Sequence, residues 1–350
     1  MRPLLLSLSR LHLSHPARPL LPSPALACGL LAAVVVGAHA SPACLATAQR
    51  APPPRALAMA AAAVTQQQAF GNQTLDAEGR LLQSGDAEGE DTRRTLGAIA
   101  PWQRVLQYWD AVDRKDEHLP SLVRFGAWRP ADRSLLQQAL NQATSARLQG
   151  LGVGSDEGLS SDELRAMSTA LDRVAVIDTP WSAAFISWVA RQAGLEAGEF
   201  AFSPAHADYA AAAWQTTLAE STDAPPTAYA MRACDLPQTT PRVGDLACQA
   251  RASDAGLDSF DKLGEALMRR RSDGGALRMH CDVVVAVDAT GFDTIGGNVL
   301  QSVTRRRLVF APGTLRLDPS YLPQVCAEGA TGCVDRHMSR QPWALLLQWR

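Results

Sequence analysis

The chain changes its hydrophobic rhythm partway along, and this shift restricts its fold more than any other feature. Before about residue 200 the apolar residues recur at helical spacing, as in Trp102, Val105, Leu106, Trp109 and Val112. A second helix is predicted over 131–148, burying Leu135, Leu136 and Leu140, and a third after the capping box of Ser160 and Glu163, bearing Leu164, Met167, Leu171 and Val174. From residue 243 on, the segments 243–250, 280–287, 292–296, 307–310 and 343–349 are short, β-branched or alternating, and end at Gly, Pro or Asp. Helices followed by such strands imply an α+β domain with helices laid on an antiparallel sheet.

With 47% hydrophobic and 19% charged residues over 350 positions, at least one sizeable core is expected. A net charge of -2 offers no global attraction to nucleic acid, and the triplets Arg269–Arg271 and Arg305–Arg307 read as solvated faces. Residues 1–40 read as a secretory signal: Arg2, Arg10 and Arg18 precede an apolar run from Ala25 to Gly37, which is too short to span a bilayer, and Ala38-His39-Ala40 suits cleavage. Export to the periplasm or cell envelope of a bacterium follows as an expectation, with no transmembrane helix after the signal is removed. A lipid anchor on Cys44 is a lesser alternative. Residues 41–100, rich in Ala, Pro and Gln, read as a disordered tether. The folded domain is then 101–350, divided into a helical extension, 101–175, and a core, 176–350.

An oxidising compartment would allow disulfides. Cys326 and Cys333 flank a short loop, and Cys248 and Cys281 are candidates for a cross-strand pair. There is no CxxC, and histidines past the signal are confined to His118, His206, His280 and His337, so neither metal nor cofactor is expected. The glycines at 150, 152 and 154 follow a predicted helix and lack a Gly-Lys-Ser/Thr, which makes them a connection rather than a phosphate loop.

The stretch from Asp178 to Gly194 carries the chemistry. Trp181, Ala184, Phe185, Trp188 and Val189 mark a strongly apolar helix, with Thr179 and Pro180 suited to its N-cap and first position. Ser182 therefore falls in the first turn, where unpaired amides and the helix dipole favour negative charge. Taken alone, such a serine is an ordinary small residue or cap.

Trp181-Ser182-Ala183-Ala184-Phe185-Ile186-Ser187-Trp188 resembles the start of the central helix in papain-fold cell-wall amidohydrolases of the CHAP and NlpC type, with serine in place of the nucleophilic cysteine. Pro241-Arg242-Val243-Gly244-Asp245-Leu246 and Met279-His280-Cys281-Asp282-Val283-Val284-Val285 resemble the two strand motifs that follow in that family, and Ile295-Gly296-Gly297-Asn298 falls where an orienting polar residue often stands. The likeness covers about Trp181 to Val309. It also extends to an uncharacterised bacterial domain family that carries the serine.

The resemblance implies a papain-like fold with a central helix on the sheet and extra N-terminal helices. It also implies hydrolysis of amide or peptide bonds, with peptidoglycan or a cell-wall peptide as partner. Ser182 would attack, His280 would serve as base, and Asn298 would orient the imidazole. A three-residue loop at 289–291 would bring Asn298 opposite Asp282 and onto the face of His280, whereas a two-residue loop would turn it to the other face unless Gly296-Gly297 forms a bulge; Asp282 is the rival orienting group. Trp181 and His206 are further candidates to line the site. A serine hydroxyl does not ionise as a thiol does and must pass its proton to the base during attack. An inactive module binding cell-wall peptide, glycan or an envelope protein therefore stands as the alternative.

Overall fold

The computed structural model describes residues 41–93, 97–112, 162, 166, 169–170, 173–174, 176–177, 179–222, 224–225, 227–323 and 337–350. The expected signal, the helix expected over 131–148, the glycines at 150–154, His118, Cys326 and Cys333 lie outside these residues, as does most of the helix expected after Ser160.

The stretch read as a tether is folded. It holds α1 (Pro42–Ala48), α2 (Pro54–Ala69), β1 (Thr74–Leu75) and β2 (Leu81–Gln83). Pro42 and Pro54 open their helices, where a missing N–H costs nothing. In α2 the buried residues are Ala56, Met59, Ala60, Ala63, Gln66 and Gln67. These follow a helical stripe, but alanine is too common in this sequence to make the stripe stand out. Small side chains let α2 come close to the sheet: a Cβ on Gly244, which has φ +90°, would collide with the Ala56 carbonyl. Cys44 is disulfide-bonded to Cys234, 190 positions away, so its sulfur is not free for a lipid anchor. Closing so long a loop stabilises the fold by about 3–5 kcal/mol, mainly through the entropy of the unfolded chain.

Downstream lie α3 (Pro101–Asp110), α4 (Ser182–Gln192), α5 (His206–Ser221), β3 (Met231–Asp235), β4 (Leu246–Ala250), α6 (Phe260–Asp273), β5 (Met279–Val287), β6 (Gly291–Val299), β7 (Ser302–Val309) and β8 (Trp343–Trp349). The fold is α+β. The eight strands among the described residues form one sheet in the order β2-β1-β7-β6-β5-β4-β8-β3. The sheet is mixed rather than antiparallel as expected, because β1 pairs in parallel with β7. That strand lies in the segment read as tether, so the sequence pattern gave no hint of it.

Alternate residues of the strands enter two apolar clusters. Cys248, Cys281, Val283 and Ile295 pack with α2, α3, α4 and α5, whereas Ala247, Val284, Phe292 and Trp343 pack with Cys44, Leu317 and Tyr321. Cys248 and Cys281 face each other across β4 and β5 and form a disulfide. The α4 helix is buried nearly all round, lying on β5 and β6 between α2 and α3. Asp245, in the Pro-x-x-Gly-Asp-Leu motif, ties the start of β4 to the end of β8. It accepts the Arg242 N–H at 2.8 Å and the Trp349 N–H at 2.9 Å. Among the described residues, no helix is long and apolar enough to cross a membrane.

The β6–β7 hairpin turns through Leu300 and Gln301, with φ of 51° and 60°, and Val299 opposite Ser302. A two-residue turn of this hand suits Asn-Gly far better than Leu-Gln. Replacing Leu300 with Asn and Gln301 with Gly is expected to raise stability by about 1 kcal/mol, read as a higher urea midpoint with an unchanged slope.

Candidate active site

Ser182 is the first helical residue of α4, which begins two residues later than Thr179 and Pro180 suggest, because Trp181 occupies the N-cap. The Trp181 indole is fully buried against Phe70, Tyr108 and Phe185, and its Nε1–H donates to Glu88 at 3.3 Å. Trp181 therefore anchors the head of the helix rather than lining an open cleft. Burial pushes the Glu88 carboxyl up to about 7, against the opposing effect of the Trp181 bond. One turn and a half along α4, the Ser187 hydroxyl donates to the Ser203 carbonyl at 3.0 Å and accepts the Ser203 N–H at 3.1 Å. This clamp fixes the approach to α5, which begins at His206.

The two helix heads meet. Ser182 Oγ lies 2.7 Å from His206 Nε2, and His206 Nδ1 is hydrogen-bonded to the Tyr209 hydroxyl, one helical turn on. Ser182, His206 and Tyr209 are all buried. If Nδ1–H donates to Tyr209, Nε2 is free to accept the Ser182 proton; the other tautomer makes Nε2–H a donor to Ser182 and removes the base. Two converging helix N-termini favour an anion and disfavour an imidazolium.

His280 does not hold Ser182. Its Nε2 lies 2.7 Å from Asp282 Oδ1, and since a carboxylate only accepts, Nε2 carries the proton. Asp282 Oδ2 also accepts the Thr294 hydroxyl at 3.1 Å and pairs with Arg306 Nε at 2.9 Å. The imidazoles of His206 and His280 lie side by side, with centroids 5.3 Å apart. The site is thus two linked pairs, Ser182–His206 and His280–Asp282, in place of one Ser–His–Asn row.

Asn298 does not orient His280. The register pairs Val283 with Ile295, and the ladder between β6 and β7 shifts between Gly296 and Val299. Asn298 has φ 55° and serves the backbone of that irregularity, a conformation asparagine tolerates well. The glycines beside it let the two pairs approach: a Cβ on Gly296 would strike Asp282 and His280, and one on Gly297 would strike Phe185 and Trp181.

Burial, then repulsion from His280 and Arg251, holds His206 well below the usual imidazole range. Burial likewise lowers His280, with Asp282 opposing. Below about pH 6.5 the unfolded chain binds protons that these native histidines refuse, so stability from their neutral burial is full above that pH and lost as pH falls. Relative to wild type, His206→Gln is therefore expected to gain in melting temperature as pH drops from about 7.5 to about 5. A pH-independent difference between the two proteins would contradict a neutral buried His206.

Sequence reasoning missed Tyr209 as an orienting group and Arg306 as the partner of Asp282. Arginines 305 to 307 lie in β7, and strand alternation turns Arg306 inward while Arg305 and Arg307 pair with Asp293. The charged triplet in a strand was itself the signal. In α6, Arg270 pairs with Asp208 rather than standing free. Among the described residues, no group of His, Cys, Asp or Glu could hold a metal ion.

A family model described as "Uncharacterized protein conserved in bacteria (DUF2272)" matches residues 148–349, which contain every residue of this site. Neither the curated proteins nor the solved structures include a match.

Proposed function

We propose that this chain, which belongs to the family of uncharacterised proteins conserved in bacteria (DUF2272), is an exported hydrolase of amide or peptide bonds on a papain-like frame, acting on peptidoglycan stem peptides. The observation that carries the reading is the 2.7 Å contact between Ser182 Oγ and His206 Nε2 at the head of a buried helix. As Oγ attacks the carbonyl carbon, its proton passes to Nε2; the oxyanion is held by backbone N–H groups of the first turn of α4. Nε2–H then protonates the leaving amine, and water releases the acyl group by the same steps in reverse. His280, kept neutral and oriented by Asp282, lines the site beside this pair.

Export is supported by the signal-like N-terminus and by the Cys44–Cys234 and Cys248–Cys281 disulfides, which persist in oxidising compartments. The substrate class rests on export and on the likeness to CHAP and NlpC hydrolases.

One observation favours a second reading, a binding module without turnover. Among the described residues the Tyr209 hydroxyl has no other hydrogen-bond partner than His206 Nδ1. A phenol with no second acceptor donates, and donation to Nδ1 leaves Nε2 protonated and unable to act as base. The test is incubation of the full chain with peptidoglycan and mass spectrometry of released fragments. New termini released by wild type and by Ser182→Cys, and none by Ser182→Ala, are expected. Release by none of the three would leave the binding module.

A further inference from the structure

Two polar side chains beside the site lack partners. Gln249 stands opposite His280 in the β4–β5 ladder, so both side chains project from the same face. It is 4% exposed, and its Oε1 is buried with no hydrogen-bond partner. Its neighbours Leu246, Ala247, Cys248 and Ala250 are apolar or small, which makes an unsatisfied amide here a cost that packing does not explain.

Arg251 continues the strand, with extended backbone and its N–H donating to the Arg278 carbonyl at 3.0 Å. Alternation returns its side chain to the face of Gln249, about 7 Å further along. Among the described residues its guanidinium makes no ion pair and no hydrogen bond. The acid nearest in sequence, Asp254, faces Arg278, which also donates to Ser253 Oγ at 2.6 Å. Asp282 is held by His280 and Arg306. Arg251 is half-buried, and burial together with Arg278 lowers its pKa, as expected of a cation without a counter-ion. Its charge also acts on His206 and His280, which places it within electrostatic range of both.

We infer that Gln249 and Arg251 form a subsite for the carboxylate-bearing residue of a peptide or acyl-amino acid, Gln249 Oε1 accepting its amide N–H and Arg251 pairing with its free carboxylate. An acceptor and a cation side by side call for a ligand that carries a donor and an anion together. A C-terminal amino-acid residue has both, whereas the dianion of a phosphate monoester has no donor for Gln249. The inference rests on the amide-hydrolase reading above and narrows its substrates to those with a free carboxylate next to the scissile amide. Arg306 and Arg270 are excluded from this role by their ion pairs with Asp282 and Asp208.

Binding, not turnover, tests it. The full chain is titrated with N-acetylalanine and with N-acetylalaninamide, in both enantiomers, by ligand-detected NMR, with Ser182→Ala run alongside. Wild type and Ser182→Ala are expected to bind the acid at least about tenfold more tightly than the amide. Arg251→Gln should bind the two alike, and Arg251→Lys should keep part of the preference. Gln249→Leu should weaken both ligands while raising the melting temperature by about 2–4 °C, because an unsatisfied buried acceptor is removed. Equal binding of acid and amide by wild type, no binding of either, or an unchanged preference in a folded Arg251→Gln would overturn the subsite. Carboxylate-dependent binding without peptidoglycan cleavage supports the subsite and removes the hydrolase. Cleavage indifferent to the carboxylate removes the subsite alone.

Discussion

Replacing His206 with alanine should lower kcat/KM for the proposed amide hydrolysis by about a thousandfold or more, and Asn298→Gly should leave it within about twofold. The motif order implies the reverse weighting, with His280 as base and Asn298 as its orienting group. Geometry favours the first weighting, since among the described residues only His206 Nε2 is hydrogen-bonded to the Ser182 hydroxyl, and Asn298 is engaged at a left-handed backbone position that glycine also satisfies. His280→Ala is expected to fall between the two, because His280 borders His206 without touching Ser182. Tyr209→Phe distinguishes the tautomers. If Nδ1–H donates to the phenol, its loss frees the ring and activity drops. If the phenol donates to Nδ1, its loss lets the base-competent tautomer form and activity rises. Kinetics of the four purified variants on one peptide amide settle the ranking, and a silent His206→Ala would return the role of base to His280.

What the sequence showed and what it hid divide along physical lines. Strands β4, β5, β6 and β8 were legible within about three residues because alternation is a local signal, and α4 was legible because its apolar stripe is wide; β7 was read from 307 although it begins at Ser302, since its arginines masked the alternation. The α2 helix was hidden because its buried face is alanine and glutamine, which read as low-complexity coil, and β1 went with it. Ser182 was legible from its place in a helix head. Its partner was not, since nothing local tells which of two distant imidazoles a hydroxyl will meet; that choice is made by the Ser187–Ser203 clamp and the paired glycines at 296 and 297. Gln249 and Arg306 were legible in principle. A glutamine inside an apolar strand, or the middle one of three arginines in a strand, has to point somewhere that its neighbours do not.

Removing Asp282 should produce the largest loss of stability at any single polar position of the site. The carboxylate is fully buried, and although burial opposes its charge, Arg306, His280 and Thr294 together keep it below the usual carboxylate range. Its folded pKa is depressed, so its contribution is present throughout the neutral range and lost only as pH falls below about 4. Asp282→Ala strands the Arg306 guanidinium, which is 3% exposed, without a counter-charge, at an expected cost of about 3–5 kcal/mol in urea unfolding. Asp282→Asn keeps the shape but not the charge, and should recover little. The double variant Asp282→Ala, Arg306→Met should regain much of the loss, because it removes both charges together and fills the guanidinium's space with an apolar chain. A single variant within about 1 kcal/mol of wild type would mean that Arg306 reaches water or another acceptor when Asp282 is gone. The same experiment bears on chemistry as well as stability: without Asp282 no described side chain holds the His280 tautomer, so a double variant that folds normally yet hydrolyses slowly assigns Asp282 a positioning role beyond its structural one.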